Sequence, residues 1–417
     1  MRQALNTLPP RDLPTSEALA ADAPRLRVLS LSTVFPNPGA PLHGLFVQER
    51  LRHLAAHADI RVVAPVARFP WRPHSTVTAE RRAGLPVAHP TFRYVPGILK
   101  ATDGFALAIS ALPTVRRLMR ETGGFDLIDA HFAYPEGFAA ALLGRWLGLP
   151  VVMTERGTLP MIWEDPLRGR AARWGLRQAD RVIAVAEPLA ALARAAGVPG
   201  ERVSVIENGV DAARFHPRDK AEARRAVGCG HAGPLLVSVG HLSPRKGFHR
   251  VLDVLPELLR DVPDLAFAIV GGPGKEGDNS ADLARRIAER GLERHVIMAG
   301  PQSPEGVADW LAAADVFVLA SDLEGCPNVV WEAMACARPV VASRVGHVGH
   351  MVPDFAGIVF GDAEDRAALQ TALAQALQRP WDPARIRAHA EAHTWEGVAE
   401  RVLAQWRLAA GLSAERR

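Results

Sequence analysis

The regular exchange between two kinds of segment most constrains how this chain can fold. Short runs rich in Val, Ile and Leu alternate with longer stretches rich in Ala. Strands that are apolar along their whole length are typical of parallel sheets with helices on both faces, and the alternation is typical of βαβ units. The pattern predicts an α/β fold, with strands in the first half at 27–31, 60–64, 127–131, 151–154, 181–185 and 203–206.

The alternation starts again in the second half, with strands predicted at 235–239, 266–270, 296–298, 316–319 and 340–342. Between the two series, the segment 208–231 opens with Asn-Gly and contains Pro217, which indicates turns and an interdomain linker. A chain of 417 residues also exceeds what one hydrophobic core usually serves. We therefore predict two doubly wound, Rossmann-like domains, at 24–207 and 208–393, that face each other across a cleft.

Composition excludes several classes of protein. Apolar residues make up 48% of the chain and charged residues 23%, which is typical of globular proteins and not of disordered ones. Three cysteines provide no disulfide framework or metal motif, which favours a reducing, cytoplasmic compartment. Residues 1–23 have no apolar run that could serve as a secretory signal, and are predicted to be a disordered tail.

Charge is unevenly distributed, although the net charge is only +4. Basic residues cluster in the first half and indicate an anionic partner there. The segment 105–120 is apolar first and arginine-rich afterwards. One interpretation is a peripheral helix that lies on anionic lipid at the inner membrane face. The other is a helix packed on the sheet, with its arginines in solvent. The clustered residues are Arg68, Arg72, Arg81, Arg82, Arg116, Arg117, Arg120, Arg168, Arg170, Arg173 and Arg177.

The most specific stretch for chemistry is 321–342, in which strand, loop, helix and strand follow in order. Pro327 suits the start of a helix, and Asn328 is predicted to cap it. The amides of Val329, Val330 and Trp331 would then point out of the helix and bind an anion such as a diphosphate. Carboxylates before the helix and on its second turn, Glu324 and Glu332, would flank that ligand; an ordinary capped helix is the alternative.

Three further loops follow predicted strands. Arg245 and Lys246, preceded by His241 after the strand 235–239, form a candidate phosphate clamp, with a solvated basic loop as the alternative. His131 ends the strand 127–131 at the expected cleft, although a single histidine is also often structural. Gly44 lies in the loop after the first strand, where a residue without a side chain allows close approach of a ligand or forms a plain turn.

Together these motifs resemble the retaining GT-B glycosyltransferases of family 4, over nearly the whole chain. The family's hallmark is two glutamates separated by seven residues, here Glu324 and Glu332. The resemblance implies that Glu324 lies beside the reacting face of the donor sugar, and that Glu332 binds the ribose. It also implies catalytic roles for Arg245 and Lys246 at the diphosphate and for His131, which contacts the donor sugar and polarises the reaction centre. Donor binding is implied for His241, for the helix start at Asn328, Val329 and Val330, and for the amide of Gly44.

Departures from the family pattern accompany the resemblance. His241 replaces a usual arginine, and Asp129 stands where a second histidine is common. Glu155 and Arg156 resemble a segment on the acceptor side, and the final helix, 394–412, resembles one that packs back on the N-terminal domain. At 345–350 the chain lacks the family's paired glycines, proline and glutamate.

The resemblance implies a nucleotide-diphosphate sugar as donor and a glycan, polyprenyl-linked or other hydroxyl acceptor, as in cell-envelope or exopolysaccharide biosynthesis. No Asp-x-Asp motif occurs, so we expect neither a metal ion nor another cofactor. A nucleic acid is not among the expected partners. Two alternatives stay open: a GT-B sugar-nucleotide epimerase, and a non-catalytic protein that binds nucleotide sugars.

Overall fold

A computed structural model describes residues 25–67, 78–93, 99–274 and 277–412. The predicted tail at 1–23, together with Arg68 and Arg72 of the basic cluster, lies outside the described residues. Every strand predicted above is present, and its bounds differ from the prediction by at most two residues. The strands within the described part form one sheet from each half of the chain and a small two-stranded sheet.

The first half builds a sheet in the order β10-β9-β8-β7-β1-β2-β5-β4. Its neighbours are parallel except for the hairpin of β4 and β5, which the sequence analysis did not predict. β3 and β6 form the small separate sheet. The strands are β1 (Leu26–Leu31), β2 (Ala58–Val63), β3 (Val66–Ala67), β4 (Ala79–Arg82), β5 (Leu85–Ala88), β6 (Thr91–Phe92), β7 (Leu127–His131), β8 (Val151–Glu155), β9 (Arg181–Ala184) and β10 (Val203–Val205).

Helices connect these strands and cover the sheet. They are α1 (Leu45–Leu54), α2 (Asp103–Thr122), α3 (Phe138–Leu147), α4 (Leu159–Ile162), α5 (Arg168–Gln178) and α6 (Glu187–Ala195). A π-helical turn spans Ala133–Gly137, and 3₁₀ turns span Lys100–Thr102 and Gly200–Arg202. All five residues of β7 and all five of β8 are buried, as is typical of central parallel strands covered on both faces. The polar residues Asp129, His131, Thr154 and Glu155 are among them.

The second half builds a wholly parallel sheet in the order β13-β12-β11-β14-β15-β16. Its strands are β11 (Leu235–Val239), β12 (Ala266–Val270), β13 (Val296–Gly300), β14 (Val316–Leu319), β15 (Val340–Ser343) and β16 (Gly357–Phe360). Its helices are α7 (Lys220–Ala226), α8 (Phe248–Asp261), α9 (Ser280–Glu289), α10 (Pro304–Ala313), α11 (Asn328–Ala335), α12 (Val348–Met351), α13 (Arg366–Gln378) and α14 (Pro383–Glu391), and a 3₁₀ turn spans Pro244–Lys246.

Both sheets reverse their strand order at an internal point. In the first sheet the reversal lies between β1 and β7, and in the second between β11 and β14. Ligands of doubly wound sheets bind in the crevice beyond the carboxyl ends of the strands at such a switch point. The four loops selected from the sequence follow these four strands, so topology alone brings them to the two crevices.

The chain crosses between the halves twice, and the two crossings touch. Val210 donates its backbone N–H to His393 O at 2.9 Å and forms a β-bridge with Thr394. A Cβ on Gly209 would lie 2.6 Å from the backbone nitrogen of Trp395, so only glycine allows this approach. The segment between the sheets is not an extended linker throughout, because α7 forms within it and packs against α10.

After the second crossing, the last described helix, α15 (Trp395–Ala409), returns to the first half. Its buried face belongs to the same apolar cluster as residues of α1, β1 and β2. Trp406 is fully buried there, and its indole N–H donates to Asp129 Oδ1 at 3.3 Å. The C-terminus of the fold thereby reaches the strand that ends at His131.

Candidate functional site

The basic loop after β11 and the acidic loop after β14 are bonded to each other. Lys246 Nζ lies 2.7 Å from Glu324 Oε1, and Arg245 lies 3.7 Å from the other carboxylate oxygen. Arg245 also donates to Leu323 O, and its own carbonyl accepts the N–H of Asp322 at 2.9 Å. The Lys246 and Glu324 side chains are only 15% and 10% exposed, so this ion pair is shielded from much of the solvent. The structure therefore brings the two most specific sequence motifs together.

The start of α11 differs from the prediction in its cap. Pro327 is the N-cap residue, and Asn328 is the first helical residue rather than the cap. The Asn328 side chain instead accepts a hydrogen bond from Asn208 Nδ2 at 2.7 Å. The amide of Val330, predicted to point outward, donates to Pro327 O at 3.1 Å. The amide of Val329 lies in the same first turn, where an α-helix provides no intrahelical acceptor.

Glu332 lies on the second turn of α11 and is half-buried. Burial raises the pKa of Glu332 to about 7. The nearby positive charge of Arg214 lowers this pKa, and the negative charge of Glu49 raises it further. Glu49 is on α1, so Glu332 lies within electrostatic reach of the N-terminal half. Its predicted contact with a ribose stays a prediction.

His131 is fully buried, and both of its ring nitrogens have protein partners. Arg156 Nε–H donates to His131 Nδ1 at 3.1 Å, so the ring proton is on Nε2, which lies 3.0 Å from Asp129 Oδ2. Burial lowers the pKa of His131 to about 4, although Asp129 favours the charged form. The imidazole is therefore neutral at neutral pH, and direct contact between Nδ1 and a sugar would require Arg156 to move.

Arg156 links this histidine to the second half of the chain. Its Nη1 donates to Asn208 Oδ1 at 2.8 Å, and Asn208 in turn donates to Asn328 at the start of α11. A continuous series of hydrogen bonds thus runs from His131 to the helix that follows Glu324. In the sequence, Asn208 followed by glycine indicates only a turn. Its position shortly beyond β10 is the one sequence signal for this role.

The Arg156 guanidinium is itself unusual. Its side chain is buried, and Nη2 has no hydrogen-bond partner among the described residues. Burial lowers the pKa of Arg156, and the charge of Arg50 acts in the same direction. A buried donor without an acceptor is costly, which makes Nη2 a candidate for binding a ligand oxygen.

Glu155, predicted to belong to a segment on the acceptor side, lies in the interior of the first half, and its acceptor role stays a prediction. It is fully buried at the end of β8, and neither carboxyl oxygen has a hydrogen-bond partner in the described part of the chain. Burial raises its pKa to about 8, and the negative charge of Glu136 adds to the increase. Glu155 is therefore mainly a neutral carboxylic acid at neutral pH, because ionisation would leave an unpaired charge in the interior.

Gly44 occupies a position that requires glycine. It is the N-cap of α1 with φ 79°, and a Cβ there would lie 2.3 Å from Val34 O.

His241 lies on the other side of the cleft and is exposed. Its ring lies against Gly274, so that a Cβ added to Gly274 would be 2.7 Å from the ring. The loop at 271–274, which contains three glycines, thus packs on His241, the histidine that replaces the family's arginine.

Backbone of the two halves meets beside Glu324. A Cβ on Gly325 would lie 2.8 Å from Arg156 O, and one on Gly157 would lie 3.2 Å from Gly325 Cα. His347 N–H donates to Gly325 O at 2.9 Å, and its Nε2 lies 2.7 Å from Glu207 Oε1. The segment that departs from the family pattern at 345–350 therefore supports the Glu324 loop and contacts the first half through Glu207.

Two Rossmann-like sheets with their switch-point loops at a shared cleft define the GT-B class of fold, as predicted. Solved structures that are similar include sucrose-phosphate synthase from Thermosynechococcus elongatus, with a TM-score of 0.76 and 21% identity over 93% of this chain and 100% of that one. HepE from Anabaena in complex with UDP has a TM-score of 0.70 and 19% identity over 91% and 98% of the two chains.

Sequence comparison then specifies the family. Residues 43–214 match Glycosyltransferase Family 4, and residues 219–393 match Glycosyl transferases group 1. The D-inositol 3-phosphate glycosyltransferase of Frankia alni is 31% identical over 307 residues, which cover 69% of this chain and 75% of that protein. A glycosyltransferase of Bacillus subtilis assigned to teichuronic acid biosynthesis, TuaC, is 28% identical over 86% of this chain and 91% of its own. The chain belongs to the family 4, group 1 glycosyltransferases.

Proposed function

We propose that this glycosyltransferase moves a sugar from a nucleotide-diphosphate donor to a hydroxyl acceptor and retains the anomeric configuration. The observation that carries the proposal is the shielded Lys246–Glu324 ion pair at the switch point of the second sheet. It places a cation and a carboxylate beside the first turn of α11, where a helix favours an anion. A diphosphate that binds here would be stabilised by Lys246 on one side and by the N-terminal end of α11 on the other.

Lys246 and Arg245 would act on the leaving group. As the bond between the sugar and the diphosphate breaks, negative charge accumulates on the phosphate oxygens, and positioned cations stabilise that state more than the ground state. Glu324 holds Lys246 in place and, as the family resemblance implies, borders the reacting face of the sugar. Because these cations can neutralise the diphosphate, we propose that transfer needs no metal ion.

Retention follows if the acceptor attacks from the side that the diphosphate leaves. In this route the departing phosphate oxygen accepts the acceptor's hydroxyl proton while the new bond forms, so no covalent intermediate is needed. On the opposite wall, the unpartnered Nη2 of Arg156 would bind an oxygen of the sugar or the diphosphate. His131 would then set the direction of Arg156, and Glu332 would bind the ribose.

The nature of the substrates is proposed from the relatives. HepE has been solved with UDP and with UDP-glucose, so uridine diphosphate sugars are the first donors to test. The names of the relatives include teichuronic acid biosynthesis and inositol 3-phosphate, and both indicate acceptors rich in anionic groups. We propose an envelope or exopolysaccharide glycan, carried on a polyprenyl or comparable lipid, as the acceptor, with contact at the membrane surface.

The experiment measures acceptor-stimulated release of nucleotide from UDP, GDP and ADP sugars. Glu324→Gln and Lys246→Gln are each expected to lower kcat about 10²–10³-fold, which is the usual cost of losing one preorganised electrostatic contact. Glu293→Gln, which changes an exposed glutamate between α9 and β13, is the matched control. EDTA should leave the wild-type rate unchanged, and NMR of the product should show the anomeric configuration of the donor.

Three outcomes would contradict the proposal. Equal rates for wild type and Glu324→Gln would remove the assigned role of this loop. Isotope exchange at a sugar carbon without any acceptor would indicate an epimerase. Tight binding of a nucleotide sugar with no release of nucleotide, across the acceptors tested, would indicate a non-catalytic binding protein.

A further inference from the structure

The helices on one side of the N-terminal half carry a concentration of exposed apolar side chains. Six of the ten large hydrophobic residues that are exposed in the described part of the chain lie there, each at least 41% exposed. Such residues are normal when scattered singly, but a group of them marks a surface that binds something. We call this group the apolar face: Leu99, Phe105, Ile109, Trp146, Met161 and Leu167.

Helix α2 shows why the apolar face is not part of the core. Its inner side packs on the sheet through Leu107, Ala108, Ala111, Val115 and Leu118, which are all buried. Phe105 and Ile109, one helical turn apart, point away from that core. Further along the helix, Arg116 and Arg120 follow on the same outer side, as the helical period places them. The outer side of α2 is therefore apolar at its start and basic at its end.

Contacts between neighbouring helices connect the elements that carry the apolar face. Phe105 and Trp146, from α2 and α3, form an edge-to-face aromatic pair with ring centroids 6.5 Å apart. Helix α3 in turn packs against α5, and α5 contacts both α4 and the turn at Lys100–Thr102. Met161 on α4 and Leu167 just before α5 extend the face in that direction.

The charge around the apolar face has one predominant sign. Its exposed basic side chains are Lys100, Arg116, Arg117, Arg120, Arg145 and Arg170. Four acidic residues lie on α2, α3, α4 and α5 and in the turn between α4 and α5. Asp103 is buried, Glu121 is paired with Arg117, and Asp165 is paired with Arg168, which leaves Glu164 as an exposed carboxylate against six exposed cations. Apolar and aromatic groups surrounded by arginines match the interface of an anionic bilayer, where rings sit among headgroups and guanidinium groups meet phosphates.

We propose that the apolar face docks this enzyme on an anionic lipid bilayer. Its position relative to the cleft supports this occupant. Tyr134, three residues beyond His131, donates its hydroxyl proton to Lys100 O at 2.6 Å and accepts the N–H of Gly104 at 3.2 Å. Met161 follows four residues after Gly157, which contacts Gly325 of the donor loop. A bilayer on this face would lie beside the N-terminal wall of the cleft.

Docking in this position would present a lipid-linked acceptor to the site. That consequence rests on the proposed function, whereas the lipid binding itself does not. Residues 105–120 had two interpretations, a helix that lies on lipid and a helix that packs on the sheet, and the apolar face combines them. The helix packs on the sheet, and its outer side, together with α3, α4 and α5, provides the surface that would contact lipid.

The test is co-sedimentation of the full chain with vesicles of phosphatidylcholine alone or of phosphatidylcholine with phosphatidylglycerol. Wild type is expected to bind the anionic vesicles at least ten times more strongly, and binding should weaken as salt is added. A Phe105→Ser, Ile109→Ser, Trp146→Ser variant and an Arg116→Glu, Arg120→Glu variant should each lose this binding. The matched control, Met298→Ser with Leu408→Ser, removes exposed apolar side chains elsewhere and should bind as wild type does.

Several results would overturn the proposal. These are absence of binding to anionic vesicles, equal binding to both kinds of vesicle, and unchanged binding by either face variant. A wild-type dimer that becomes monomeric in the apolar-face variant, measured by light scattering without lipid, would assign the face to a second copy of the chain instead. Nucleotide release with a water-soluble acceptor should be unchanged in all variants, which separates a failure of docking from a failure of catalysis.

Discussion

The buried carboxylic acid of Glu155 makes the stability of this protein depend on pH in a direction opposite to that of most glutamates. Burial raises its pKa from 4.5 to about 8, because neither oxygen has a partner and Glu136 is close. The folded state therefore keeps a proton that the unfolded chain releases. Stability from this group is complete below about pH 4.5 and is lost as the pH rises through about 8.

The size of the effect follows from the two pKa values. Linkage over this window predicts that the Glu155 carboxyl alone lowers the free energy of unfolding by roughly 3.5 kcal/mol between pH 5 and pH 8. Glu155→Gln has nearly the same shape and cannot ionise, so it should remove this loss. Relative to wild type, the variant should gain roughly 3.5 kcal/mol of stability on going from pH 5 to pH 8.

The assay is urea unfolding followed by tryptophan fluorescence at several pH values between 5 and 8, for wild type, Glu155→Gln and the exposed control Glu293→Gln. Other groups also contribute in this range. Burial raises the pKa of Glu332 to about 7, and His131, whose folded pKa is lowered to about 4, takes up a proton in this range only in the unfolded chain. Because they are present in every variant, the difference between variants isolates Glu155. A stability difference between wild type and Glu155→Gln that stays constant with pH would refute the reasoning.

Three further predictions follow from the site. Asn208→Ala removes the hydrogen bonds that link Arg156 to Asn328. Because one of these bonds involves a charged group, kcat/KM for the donor should fall about tenfold in steady-state kinetics. An unchanged kcat/KM would count against a role for this link. Gly44→Ala places a Cβ 2.3 Å from Val34 O at a residue with a left-handed φ, so it should lower the free energy of unfolding in urea by about 2 kcal/mol or more. Gly148 is also left-handed, but a Cβ there would have no atom within 4 Å, so Gly148→Ala should lower the free energy of unfolding by less. His131 should stay neutral with its proton on Nε2 from pH 5 to pH 8 in ¹⁵N NMR, because its pKa is about 4; a titration near pH 6.5 would show that the buried geometry is wrong.

The sequence was sufficient for most of the parallel strands and for the meeting of the donor loops. Strand β12 is buried at every position and all five of its residues are apolar, so its composition predicts a buried strand directly. Lys246 and Glu324 could be expected to meet because each follows a strand at a switch point. Such features depend on periodicity and order along the chain, which a sequence displays directly.

Features that depend on distant partners could not be predicted. The residue type of Asn328 suits a helix N-cap, yet its side chain accepts a hydrogen bond from Asn208, which is 120 positions away in the chain. Glu155 looks like a polar residue at the edge of a cleft, and only the packing of the first sheet shows that it is buried. Strand β16 was not predicted either, although it is as long as β14 and β15.

The touching crossings at Val210 and Thr394 restrict how the two halves can move relative to each other. Because both connections pass through one place and are bonded there, the halves can pivot about it, but they cannot slide past each other without breaking the bridge. Displacement in a pivot grows with the length of the lever arm. Glu207 and Asn208, next to the fulcrum, would move little, and the rims of the two sheets would sweep the widest arc.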